Sequence, residues 1–197
     1  MNCLIADDHW IVRKGMISIM ENHFSDLHFD QAGRISEIFS TLEKKSCHLL
    51  LLDFFYTDGA LKKSILKIKS ISNDAKIIVM SSSITYFDYL EIKDHVDAIL
   101  SKQSSQAAII NCVQKVLFED TSYINNYHQL FFDKVDLLSS RELEIVKLII
   151  NGYGNKEMVN KLDLKENTIS TLRKRAFDKL EIDNNVELIN LFMQSVL

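Results

Sequence analysis

The sequence predicts an α/β domain, five βα units on a parallel sheet, followed by a small all-α domain. Three observations predict it. Leu49-Leu50-Leu51-Leu52-Asp53 opens with four leucines that have neither a helical stripe nor a strict alternation. Such a run suits a strand buried on both faces of a parallel sheet. A buried helical segment is the competing reading, and the run is too short for it. Residues 1–119 alternate short apolar runs with amphipathic stretches, as strands joined by crossover helices do. Beyond about residue 136 the strand-like runs stop and every pattern is helical.

Residues 2–6 read as the first strand, and 11–21 as a helix with Ile11, Met16, Ile19 and Met20 apolar. Residues 27–32 suit a second strand. Residues 35–44 are helical, with Ile35, Ile38, Phe39 and Leu42 on one stripe. After the 49–53 strand, residues 61–71 place Leu61, Ile65, Leu66 and Ile68 inward and Lys62, Lys63, Lys67 and Lys69 in solvent. Residues 76–80 form the next strand, ending at Ser81-Ser82-Ser83. Residues 86–93 follow as a helix, 96–100 as a fifth strand closed by Ser101-Lys102, and 105–118 as a helix with Ile109, Cys112, Val113 and Val116 inward.

Residues 120–136, with Asn125-Asn126 and no clear period, read as a linker. Residues 137–197 form the second domain. Glu142 follows Ser139 at capping-box spacing. It opens a helix striped by Leu143, Val146, Ile149 and Ile150, which Gly152 and Gly154 end. Asn155 can cap a short helix through Leu162. Residues 163–165 turn into a longer helix reaching about residue 181, and Asn184 or Asn185 starts the last one.

The chain has 197 residues, 47% of them hydrophobic and 25% charged, enough for a real core. No apolar run approaches the ~18–20 residues of a membrane span. Asp7-Asp8 arrives too soon for a signal peptide, so a soluble, cytoplasmic protein without a membrane partner is expected. Cys3, Cys47 and Cys112 are too scattered for a disulfide framework and read as core residues. The six histidines show no metal-ligand spacing. A net charge of −4 argues against indiscriminate nucleic-acid binding but leaves room for a local basic patch.

Ligands of open α/β sheets sit outside the carboxyl ends of the strands. There the sequence places Asp7 and Asp8 after the first strand, Asp53 at the third, Ser81 at the fourth and Lys102 at the fifth. Singly, each is an ordinary polar strand end. Together, three carboxylates in one crevice repel one another and need a cation. Oxygen ligands with room for water suit Mg²⁺. Mg²⁺ held by Asp8 and Asp53, with Asp7 behind, orients a phosphoryl donor toward Asp53. Lys102 then stabilises charge on the transferring oxygens, and Ser81 hydrogen-bonds an aspartyl-phosphate.

With these residues, positions 1–119 resemble the receiver domain of two-component response regulators. The resemblance implies a flavodoxin-like (βα)5 fold, Asp53 as phosphoacceptor, Asp7 and Asp8 as the acid pair, Ser81 as switch hydroxyl and Lys102 as the family lysine. It implies phosphorylation by a histidine kinase, a receiver that catalyses its own phosphorylation and dephosphorylation, and a metal ligand in the Phe55 backbone carbonyl. The loop from Phe54 to Gly59 is shorter than the family's and lacks its Met-Pro; Ile99 replaces the switch aromatic; no proline follows Lys102.

The helix over about 165–181 sets Ile169, Leu172, Ala176 and Leu180 on one face and Ser170, Thr171, Arg173, Lys174 and Arg175 elsewhere. Hydroxyls and cations near a helix start suit the DNA major groove; a solvated basic face is the alternative. Leu138-Ser139-Ser140-Arg141-Glu142, Gly152, Asn155-Lys156-Glu157, Thr168-Ile169 and Lys179-Leu180 resemble the LuxR-type helix-turn-helix in order and spacing. With a receiver in front, the chain resembles the NarL/FixJ subfamily. Thr168-Ile169-Ser170-Thr171 and Val186-Glu187-Leu188-Ile189 look most like its BvgA, EvgA and FimZ branch. The resemblance implies DNA contacts from Lys156, Thr168, Ser170, Thr171, Arg173, Lys174 and Arg175, with Ser170, Thr171 and Lys174 facing bases and Arg173, Arg175 and Lys156 holding phosphates. Lys165 stands where the family has a capping Ser, so Asp163 is expected to cap instead.

Residues 136–197 hold nine Lys/Arg and ten Asp/Glu, a net of −1. Few phosphate contacts imply modest monomer affinity, so a homodimer on paired half-sites is expected. Val186, Leu188, Ile189, Leu191, Phe192, Met193 and Val196 leave the last helix apolar on most sides, with one stripe free for a second subunit. The expectation is a DNA-binding transcriptional regulator, not an enzyme, controlled by Mg²⁺-dependent phosphorylation of Asp53. The rival is a phosphorylation-independent regulator acting through homo- or heterodimers. A phosphatase with Asp53 as nucleophile fails because Phe55 stands where its second carboxylate belongs.

Overall fold

The computed structural model describes residues 1–119, 123–124 and 134–193. They fall into two compact units that divide between residues 125 and 126.

The first unit opens with β1 (Asn2–Ala6), α1 (Trp10–Glu21), β2 (His28–Ala32), α2 (Ile35–Leu42) and β3 (Leu49–Asp53). A hairpin follows, β4 (Phe55–Tyr56) with β5 (Gly59–Ala60), and then a 3-10 turn at Leu61–Lys63. The remaining elements are α3 (Ile65–Ile71), β6 (Lys76–Ser81), α4 (Tyr86–Ile92), β7 (Ala98–Ser101), α5 (Gln106–Phe118) and β8 (Tyr123–Ile124). The large sheet runs β2-β1-β3-β6-β7-β8 with every pair parallel. Strand order reverses beside β1 and β3, which opens a crevice at their carboxyl ends.

Every residue of β3 is buried. Leu49 and Leu51 join the cluster formed with Met16 and Met20 of α1 and Ile109, Cys112 and Val113 of α5. Leu50 and Leu52, alternating with them, serve the opposite face. Two caps need nothing but local sequence. Thr85 and Asp88 form a capping box on α4, and the Ser105 hydroxyl accepts from the Ala108 amide at the start of α5.

Three details depart from the sequence reading. Leu66 is 63% exposed rather than inward. The 3-10 turn at Leu61–Lys63 and a two-turn α3 shift the phase, so Ile65 and Ile68 alone of that helix are buried. Ile11, counted among the apolar residues of α1, is exposed. And a sixth strand, β8, lies within the stretch expected to be linker, pairing Tyr123 and Ile124 with Ala98 and Ile99. Two residues are too few to show a period; the open edge of β7 recruits them. The other linker residues lie outside the described ones.

The second unit contains α6 (Ser140–Ile150), α7 (Asn155–Leu162), α8 (Glu166–Leu180) and α9 (Asn185–Met193). The Ser139 capping box forms with Glu142. Leu143 and Ile150 are only half-buried; Ile145, Val146, Leu148 and Ile149 fill the core side of α6. Asp163 does not cap α8. It ends α7 in the left-handed conformation (φ 51°), and Lys165 enters α8 with no side-chain cap. The Glu187 amide instead finds Asn184 Oδ1 at 2.9 Å, at the start of α9. Ile169, Ala176 and Leu180 of α8 are buried as expected, joined by Phe177, while Leu172 is half-buried.

Candidate functional site

Ala6 pairs with Leu52, so Asp7 and Asp53 each stand one residue past the last rung between β1 and β3. On the other side of β3, Ser81 pairs with Ser101, and Lys102 comes next. The register alone therefore brings Asp7, Asp53, Ser81 and Lys102 to one edge.

Lys102 Nζ lies 2.6 Å from Asp7 Oδ2 and 2.7 Å from Asp53 Oδ2, an ammonium shared by two buried carboxylates. Asp53 Oδ1 accepts the Phe54 amide at 2.7 Å, and Asp7 Oδ1 the His9 amide at 2.8 Å. Burial pushes the Asp53 carboxyl up from its ordinary value, more than the hydrogen bond and charge of Lys102 pull it down; Asp7 adds to the rise. For Lys102 burial acts downward, but its bonds to Asp53 and Asp7 win and hold the ammonium above its ordinary value. Both groups are shifted upward, and the two shifts express one fact: one cation does not satisfy two carboxylates held out of water.

Asp8 sits at the rim of this pair. Its Oδ1 is buried without a hydrogen bond of acceptable geometry, although His9 Nδ1 stands 2.6 Å away in ion-pair range. Among the described residues, Asp7, Asp8 and His9 offer ligand atoms within 4.8 Å of one another. Adjacent carboxylates of Asp7 and Asp8, with one Asp8 oxygen buried and not hydrogen-bonded, are donors that fit a hard divalent cation. Phe55 is in β4 with its ring exposed and stacked edge-on against Phe54. Ser81 is buried, and its hydroxyl donates to the Ser83 carbonyl at 3.0 Å.

Two neighbours escaped the sequence reading. His9, exposed but within reach of Asp7 and Asp8, has no metal-ligand spacing to other histidines; its position directly after Asp7-Asp8 is the available signal. Tyr56 reaches back so that its hydroxyl donates to the Ala6 carbonyl at 3.1 Å. Nothing in the spacing announces that contact, because it depends on how the shortened loop folds.

In the second unit, Lys156 on α7 and Thr168, Ser170, Thr171, Lys174 and Arg175 on α8 are exposed. Arg173 is half-buried, its guanidinium 5.1 Å from the centre of the Phe177 ring. The Thr171 hydroxyl donates to the Asn167 carbonyl at 2.8 Å, which leaves its oxygen free only to accept. Asp178 and Asp183 share a shallow cleft with Ser170, Arg173 and Lys174. Their charge weakens the basic face they adjoin. Lys179, by contrast, works inward: its Nζ bonds Glu142 Oε2 at 2.7 Å and the Leu137 carbonyl at 2.9 Å. On α9, Leu188 and Phe192 are buried while Val186 is 66% and Ile189 37% exposed.

Residues 136–192 match the family of bacterial regulatory proteins described as the luxR family. The whole chain is 28% identical to the oxygen regulatory protein NreC of Staphylococcus carnosus, covering 100% of this chain and 99% of that one. It is 26% identical to the fimbriae Z protein of Escherichia coli K12, covering 95% and 93%. A structure of the two-component response regulator RcsB in complex with DNA superposes with a TM-score of 0.73 at 25% identity, over 97% of this chain and 96% of that one. Along its whole length the chain is homologous to two-component response regulators, with a receiver-like α/β unit followed by a LuxR-type helix-turn-helix domain. Its relatives are regulatory proteins rather than enzymes. Among the described residues no helix is long and apolar enough to cross a membrane.

Proposed function

We propose that the chain is a cytoplasmic transcription regulator that a sensor histidine kinase switches on by phosphorylating Asp53. The observation that carries this reading is the Lys102 ammonium held between Asp7 and Asp53 at the sheet edge, in a chain that ends in a LuxR-type domain. Asp53 is the nucleophile: a carboxylate oxygen attacks phosphorus, and the bond from phosphorus to the donor's imidazole nitrogen breaks. Lys102, already paired with Asp53, then pairs with a phosphoryl oxygen. Ser81 gives up its bond to Ser83 and donates to another phosphoryl oxygen. Asp8, Asp53 and the Phe55 carbonyl would hold Mg²⁺, with Asp7 behind them, and a bound ion would supply countercharge to the transferring oxygens.

The output is double-stranded DNA. Ser170, Thr171 and Lys174 face bases, Thr168 lies at the start of the same helix, and Lys156, Arg173 and Arg175 hold phosphates. The exposed pair Val186 and Ile189 on α9 meets a second copy, so a homodimer binds paired half-sites. The likeness to an RcsB–DNA complex supports the DNA assignment.

The test is direct. Wild type should take up phosphate from acetyl phosphate in Mg²⁺, bind beryllofluoride, and bind promoter DNA more tightly afterwards. Asp53→Asn should do none of these. Identical genome-wide binding by wild type and Asp53→Asn would defeat phosphorylation control and leave the dimerisation-only regulator.

A further inference from the structure

Tyr56 does something that the phosphoacceptor reading leaves unused. It lies on β4, three residues after Asp53. The shortened loop closes there as a hairpin, with Phe55 opposite Ala60 and Tyr56 opposite Gly59. Asp58 fastens the hairpin to the start of α2, where its carboxylate accepts the Ile35 amide at 3.0 Å and the Ser36 amide at 3.2 Å. The Tyr56 side chain is thereby held in the interior, 7% exposed, and its hydroxyl donates to Ala6.

Ala6 is the last residue of β1 and the last of that strand to pair with β3, opposite Leu52. Beyond it the ladder stops, and the backbone that carries Asp7 and Asp8 leaves the sheet. Its other holds come from the β2 side and from α1: the Asp7 amide donates to the Ala32 carbonyl at 3.1 Å, and Arg13 donates to the Asp7 carbonyl at 2.6 Å. The Tyr56 hydroxyl links this strand end to the segment that follows Asp53.

We infer that Tyr56 is a positioning residue of the acidic rim: by tying the end of β1 to the hairpin behind Asp53, it sets how Asp7 and Asp8 face Asp53, and so the rim's affinity for a divalent cation. The inference rests on the reading of the rim as a Mg²⁺-dependent phosphoacceptor site.

Wild type and Tyr56→Phe, which keeps the ring and loses only the hydroxyl, are titrated calorimetrically with MgCl₂. Fluorescence of Trp10, the only tryptophan, gives a second signal two residues from Asp8. Loss of a group behind a metal ligand costs about 10-fold or more in metal affinity. The expected result is a Mg²⁺ dissociation constant about 10-fold higher in Tyr56→Phe, with a phosphorylation rate from acetyl phosphate that returns to the wild-type value at saturating Mg²⁺. A purely structural role would lower the unfolding midpoint and leave Mg²⁺ affinity unmoved. Equal affinities in two folded proteins, or a Tyr56→Phe chain that does not fold, overturn the inference. A folded wild type that binds no Mg²⁺ sinks the phosphoacceptor reading itself, a result distinct from equal affinities.

Discussion

Single residues set the pH behaviour of both units. Asp53 has a folded-state pKa above its ordinary value, so the native state favours its protonated form. Its contribution to stability is therefore greatest below the ordinary pKa of 3.8 and is lost as pH rises through the folded value. Asp53→Asn should accordingly raise the unfolding midpoint at neutral pH without Mg²⁺, with the gain disappearing in acid; thermal melts across pH 3–7 check it. Glu142 behaves in the opposite sense. Burial pushes it up, but hydrogen bonds from Lys179 and from Ser139 prevail and hold it below its ordinary value. Its stabilisation is present above the ordinary pKa of 4.5 and is lost as pH falls through the folded value. Glu142→Gln should cost the second unit about 1 kcal/mol at neutral pH, since a bond to a charged partner is worth about 1.5–3 and Lys179 is partly in water. The cost should vanish in acid. The thiols are a third case. Burial pushes Cys112 up to about 12, and Cys3 rises in the same direction. Both should resist alkylation until the chain unfolds, as mass spectrometry of reagent-treated protein would show.

At the scale of elements, the β4–β5 hairpin carries Tyr56, whose hydroxyl reaches the Ala6 carbonyl at the edge of the rim. Gly59 occupies a conformation with φ of +152°, and an added Cβ would come within 3.4 Å of Ile35 Cδ1. Gly59→Ala should destabilise the first unit by about 1–3 kcal/mol, the usual range for forcing a side chain into such a backbone. It should also disturb Tyr56 and therefore Mg²⁺ binding, which urea unfolding and calorimetry together would reveal. The sheet around the hairpin could be read from the sequence. The strand at Leu49–Asp53 was legible because an uninterrupted apolar run leaves little else for those residues to do. The hairpin was not, because strands of two residues carry no period and their pairing is fixed by Asp58 reaching another element. The phase of α3 was lost for a similar reason: a 3-10 turn, invisible to a 3.6-residue template, precedes it.

The molecule as a whole is acidic, with a net charge of −4, and this governs how it must bind a polyanion. Non-specific attraction is weak, so affinity has to come from a few placed cations and from doubling the interface. Replacing Lys156 with Ala should weaken binding uniformly across sequences and lower the slope of log K against log salt by about one. Replacing Lys174 should cost about 1–3 kcal/mol at specific sites and relax sequence preference. A Val186→Asp, Ile189→Asp pair should leave the second unit folded, since both side chains are already exposed, yet abolish dimers in sedimentation. Dimers that survive this change would move the subunit contact elsewhere.

By itself, the sequence determined the five main strands and the longer helices, and which of their ends carry carboxylates, a hydroxyl, a lysine and a basic helix, because periodicity and local caps depend on near neighbours. Tertiary structure alone decided how those ends are aimed. Lys102 lies between Asp7 and Asp53, Tyr56 holds Ala6, and Lys179 turns inward to Glu142. Each contact joins residues at least 37 apart. No local pattern encodes such a pairing; it exists only once strand register and helix packing have brought the partners within reach.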